Sequence, residues 1–278
     1  MASERRRCIK KIITEINGSS DHHSHSVDSL TGAIDKLSDP TFERRLPFPF
    51  VGFEAPARFN VQNADRGDWS YVGREKLKTL VLELKKVRMS GVYSTLWLYG
   101  TQGYGKSHLL AALVCCLAAQ DEQRVVYIPT CQTLLENPVN YVRSAMLFAW
   151  ADHAAIQKEI MTLNTERDIE DFFDYQRLQC NSDVIFVVDQ MNALKDSTAK
   201  ASRTKEWLTH LASGHKRVYS SSANYKDYLD QSVTENQNSV LLVYGGLTKV
   251  THLKLYVTLR ILTRLDGNGT VVVPTCRC

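Results

Sequence analysis

The run Gly100-Thr101-Gln102-Gly103-Tyr104-Gly105-Lys106-Ser107 satisfies the pattern G-x-x-x-x-G-K-[ST] in full. Bare glycines let a backbone wrap a phosphate and aim successive N–H groups at it. A helix opening at Lys106 adds the positive end of its dipole. Lys106 is expected to reach the β- and γ-phosphates, and Ser107 to ligate a Mg²⁺ that bridges them. Such a loop needs a second carboxylate for the metal, at the end of an apolar strand. Val184-Ile185-Phe186-Val187-Val188-Asp189 supplies one, about 80 residues downstream. Asp189 is therefore the metal-site candidate, against the alternative of an Asp that caps the next turn. Gln190 follows it, where many such ATPases carry a Glu that polarises the attacking water. An amide can orient water but cannot take its proton.

Three further positions are candidates with open alternatives. Ser222 or Asn224, in the stretch Val218 to Asn224, ends a strand in small polar residues; it is read either as a γ-phosphate sensor or as part of a helix-capping cluster. Arg74 either stacks on the base or forms a surface ion pair. Asn192 is a polar group at the strand mouth or a turn residue.

The elements that must position these residues follow from periodicity. Short apolar strands are expected at Thr95–Tyr99, Arg124–Ile128, Asp183–Val188, Arg217–Ser221 and Val240–Tyr244. Helical patterns fall at 75–89, 106–119, 139–150, 153–180 and 205–212. Strands without a polar face, alternating with helices, predict an α/β fold with a parallel sheet flanked by helices, and the loop motif makes it a P-loop NTPase. Four regions are expected: a flexible polar N-terminal segment (1–45) with at most one short helix, an entry segment and helix (46–93), the P-loop domain (94–250), and a short C-terminal hairpin or truncated lid (251–278).

Composition bounds the function. The 278 residues carry 34 basic and 30 acidic side chains, a net charge of +4, which neither demands nor forbids nucleic acid. Seven cysteines without metal-ligand spacing fit a reducing compartment. His22, His23 and His25 read as part of a solvated tail. No signal peptide and no membrane-spanning run is evident. An intracellular protein of the cytoplasm or nucleus, with no membrane partner, is expected. The absence of an Asn-Lys-x-Asp element favours adenine over guanine, so ATP and Mg²⁺ are the expected cofactors.

The blocks WSYVGRE (69–75), LYGTQGYGKSHLLAAL (98–113), RVVYIPTC (124–131), NPVNYVRSAMLFAWAD (137–152), VIFVVDQMNAL (184–194) and YSSSANYK (219–226) come in the order found in the Crinkler effectors, which the chain resembles over residues 50–246. This family shares its P-loop module with retrotransposon-hot-spot proteins. The resemblance implies an ASCE-like ATPase module, a Gln after the metal Asp as the normal state, and secretion into a host cell with a host protein or DNA as partner. A nuclease is not expected, because no P-D…[DE]-x-K arrangement is present. After Tyr244-Gly245-Gly246 the chain also lacks the family's acidic, tryptophan-containing helix. The resulting expectation is an ATP-binding protein with slow or partner-dependent hydrolysis. The alternative is a nucleotide-gated interaction module without turnover. Oligomerisation is compatible with both.

Overall fold

A computed structural model describes residues 1–18, 30–61, 67–87, 95–121, 123–179, 184–195, 198–222 and 238–243. Its centre is a five-stranded, all-parallel sheet: β3 (Thr95–Gly100), β4 (Arg124–Ile128), β5 (Val184–Val188), β6 (Lys216–Ser222) and β7 (Asn238–Leu242), in the order β4-β5-β6-β3-β7. Every residue of β3, β4 and β5 is buried. That is why these strands are apolar runs rather than alternating patterns: helices cover the sheet on both faces. β6 lies between β3 and β5, the extra strand expected of an ASCE sheet. Its register sets Ser221 beside Tyr99 and Tyr219 beside Val188, so the serines of β6 stand level with the carboxyl ends of both neighbours. Ligands of open parallel sheets bind at that edge.

Helix α4 (Lys106–Ala118) follows β3, and Leu109 to Ala118 are all buried. A helix that is apolar all round must be covered all round. The cover comes from α1 (Ala2–Asn17), α2 (Thr31–Ser38) and α3 (Lys76–Lys86), all in contact with it. Here the structure departs from the sequence reading. Residues 2–17 form a 16-residue helix with Ile9, Ile13 and Ile16 buried, not a flexible segment. Within this helix even Arg6 is buried, 7% exposed. A small antiparallel sheet of β1 (Glu43–Pro47) and β2 (Asp68–Val72) was also not anticipated. It carries Trp69 and Tyr71 into the core. The remaining helices are α5 (Cys131–Glu136), α6 (Pro138–Ala149), α7 (Ala154–Thr162), α8 (Glu166–Gln179) and α9 (Ala199–Leu211). The single charged pattern at 153–180 is thus two helices, α7 and α8. Among the described residues no helix is long and apolar enough to cross a membrane. His22, His23, His25, Asn224 and the expected hairpin at 251–278 lie outside the described residues.

Candidate functional site

The loop between β3 and α4 turns on glycines for two separate reasons. A Cβ on Gly100 would collide with the backbone oxygen of Val243, so β3 ends without a side chain to let that chain pass. Gly105 has φ +80°, and a Cβ there would strike the Arg74 guanidinium. That left-handed conformation is one most residues avoid. Both glycines therefore serve close packing as well as an open backbone. At the head of α4, Lys106 is 9% exposed. Its ammonium curls back onto its own loop, donating to the carbonyls of Gly100 (2.6 Å) and Thr101 (2.8 Å). Burial lowers the Lys106 pKa, and the negative charge of Asp189 opposes that shift.

Asp189 stands just past β5, where its N–H donates to the Ile128 carbonyl of β4 (2.9 Å). Its residue is 1% exposed, and a carboxylate so buried needs partners. Ser220 of β6 donates its hydroxyl to Oδ1. Arg58 donates Nη2 to Oδ2 at 3.0 Å and also to the carbonyl of Pro129. Gln190 adopts φ +63°, a left-handed conformation uncommon for a non-glycine residue. This turn points its N–H at Ser220 Oγ (3.1 Å), and its carbonyl accepts from Ala193 (2.9 Å) to start the 3-10 turn Met191–Lys195. The Ser220 hydroxyl thus joins the two consecutive residues, accepting from Gln190 and donating to Asp189.

The loop and the carboxylate face one cavity of about 700 Å³. Gln102, Gly103, Gly105, Lys106 and Ser107 line it from one side, and Asp189, Gln190 and Asn192 from the other. The structure therefore brings together most of the residues selected by spacing. Gly100, Thr101, Tyr104 and Arg74 do not line the cavity; Arg74 instead packs beneath Gly105. Four lining residues were not selected: Arg58, His108, Ser220 and Ser221. Within the serine run the sequence analysis took Ser222 or Asn224; the structure adds Ser220 and Ser221, while Asn224 lies outside the described residues. A strand-end argument cannot count the last rungs of β6, whereas the register places Ser220 one rung past the end of β5. Ser221 Oγ, fully buried in the wall, and Thr101 Oγ1 in the loop make no hydrogen bond.

The 3-10 turn Ala57–Phe59 brings Arg58 in. Phe59 packs on Trp69 (5.3 Å between ring centroids) and on His108 (5.0 Å), which fastens the entry segment to the first turn of α4. Burial, followed by the charges of Arg74 and Arg58, holds the His108 pKa down to about 3. His108 is therefore a neutral ring at physiological pH.

A glycine-lined loop, a buried lysine and a carboxylate around one cavity are the features of a P-loop site. The NACHT domain model matches residues 94–245, more than half of the chain. The chain belongs to the NACHT family. Its parallel sheet with β6 between the loop strand and the carboxylate strand is the P-loop NTPase fold, and nucleotide binding goes with membership of that family. No curated protein matches the chain. The solved structures that resemble this NACHT chain include two with partial overlap. One, from work on katanin self-assembly, has 12% identity and a TM-score of 0.31, with 60% of this chain and 45% of that chain covered. The other, C. elegans PCH-2, has 16% identity and a TM-score of 0.38, with 72% and 48% covered. The chain spans about half the length of either structure.

Proposed function

We propose that this NACHT chain binds Mg²⁺-ATP and hydrolyses it slowly or only with a partner. The observation that carries the reading is that Lys106 and Asp189 line the same cavity. That cavity, about 700 Å³, falls in the range of small-molecule sites. The donor set fits a hard divalent ion: the Ser107 hydroxyl and the Asp189 carboxylate are oxygen ligands, the kind Mg²⁺ takes together with phosphate and water. When bound by these residues, the ion would supply positive charge against the phosphates.

In this reading the chain's own groups act as follows. The loop presents main-chain N–H groups to the phosphates from Gln102, Gly103 and Gly105, which line the cavity, with Gly100, Thr101 and Tyr104 shaping its turn. Lys106 leaves its loop carbonyls for the terminal phosphates. Ser220 keeps Asp189 oriented, and Gln190 orients water by its amide. No side chain ordinarily used as a base follows Asp189, and this supports slow turnover. Arg74, packed against Gly105 and outside the cavity lining, favours shaping of the loop over a free surface ion pair, and stacking on the base stays a proposal. Asn224 stays a candidate sensor. Kinship to the Crinkler effectors, with a host protein or DNA as partner, belongs to this proposal and rests on the blocks quoted above. The second reading, a nucleotide-gated interaction module, draws on the same Asp-Gln step.

Phosphate release separates the two. Steady release by wild-type protein that falls to background in Asp189→Asn is the expected result. Tight ATP binding with no release in either protein would remove the enzyme reading and leave the switch.

A further inference from the structure

Both oxygens of Asp189 already have partners: Ser220 Oγ on Oδ1, and Arg58 Nη2 on Oδ2 at 3.0 Å. A divalent ion or its water shell needs lone pairs on this same carboxylate. Each oxygen keeps a second lone pair, so the hydrogen bonds alone do not fill the carboxylate, but a cation already paired with Oδ2 opposes the arrival of another. Ser220 is built into the central strand β6 and is 1% exposed. Arg58 rides on the irregular segment between β1 and β2, and its side chain is 26% exposed toward the cavity. Its Nε is buried without a hydrogen-bond partner, so its present position leaves one donor unused. A guanidinium is a ready ligand for a phosphate, which it grips through paired N–H donors.

Resting on the nucleotide reading above, we infer that Arg58 is a nucleotide-site residue that exchanges partners. It holds Asp189 in the nucleotide-free protein, yields that carboxylate when the metal arrives, and then faces the polyphosphate. Charge supports the exchange. The buried carboxylate keeps a cation beside it at each stage, first the guanidinium and then the metal. A polyphosphate carries more negative charge than one divalent ion cancels, so the released arginine has an anion to meet. Arg58 therefore competes with Mg²⁺ for Asp189 and also contributes to holding the phosphates.

The test titrates Mg²⁺ against binding of a fluorescent ATP analogue to the full chain, as wild type, Arg58→Gln and Arg58→Ala. The glutamine keeps a polar amide donor while removing the charge, so it guards against loss of fold better than alanine. In both variants the Mg²⁺ concentration for half-maximal binding is expected to fall about tenfold, as for loss of a close competing charge. Affinity in excess EDTA is expected to weaken, through loss of a cation beside the phosphates. An unchanged Mg²⁺ midpoint in folded variants that still bind nucleotide would overturn the exchange and leave a fixed ion pair. Failure of the wild type to bind the analogue under any condition would instead overturn the nucleotide reading, and this inference with it.

Discussion

His108 shows how one residue couples the site to the stability of the whole chain. It is the second residue after Lys106, and it packs between Phe59 and Trp69 with two arginines nearby. Its pKa is held at about 3 in the folded protein, against 6.5 unperturbed. Between those values the unfolded chain binds a proton that the folded chain does not. The stability contributed by the neutral ring is thus fully present above pH 6.5 and is lost as pH falls, by up to about 1.4 kcal/mol per pH unit. Urea midpoints of wild type should drop more steeply across that window than those of His108→Gln; parallel profiles would contradict the assignment. Neither this role nor that of Arg58 was legible in the sequence. Arg58 meets its carboxylate across 131 positions, and no spacing rule links a lone arginine to a strand end that distant. Lys106, Ser107 and Asp189 were legible because a loop motif and an apolar strand mark them locally.

At the scale of elements, the central strands and α4 were readable because burial on every side leaves unbroken apolar runs. Helix α1 was not. Its stripe of Ile9, Ile13 and Ile16 is present, but Lys10, Lys11 and Glu15 interrupt it, and the arginine triplet disguises its role. Arg6 is the tie. Its guanidinium donates to Ala118 (3.1 Å) and Ala149 (2.6 Å), the last residues of α4 and α6, and to the carbonyls of Gln120 (3.0 Å) and Gln123 (3.1 Å). Asp152 lies 3.2 Å away. A cation set against two helix carboxyl ends satisfies carbonyls that have no partner within their helices and meets both dipoles favourably. Arg6→Ala should cost about 3 kcal/mol in equilibrium urea unfolding, the scale for breaking a buried charged network. Arg6→Lys should recover only part of this, since an ammonium lacks the planar fork. A loss below about 0.5 kcal/mol for Arg6→Ala, the size of an ordinary surface change, would make α1 an appendage rather than part of the core.

At the scale of the whole molecule, the fold gathers chemistry from distant stretches onto one edge of one sheet. The turn at 57–59 supplies a guanidinium, the head of α4 a lysine and a hydroxyl, the end of β5 a carboxylate, and β6 the serine that orients it. The parallel order β4-β5-β6-β3-β7 makes this possible, because it brings the ends of β5 and β3 to either side of β6. The account as a whole requires that this edge hold a nucleotide through Lys106. Calorimetric titration of ATP with Mg²⁺ into wild type and Lys106→Ala tests that requirement most directly. The predicted result is saturable heat with the wild type and an affinity about a hundredfold weaker in the variant, the scale for truncating one partner of a buried charge contact. Equal affinity in the two proteins, or no heat above background with the wild type, would contradict it.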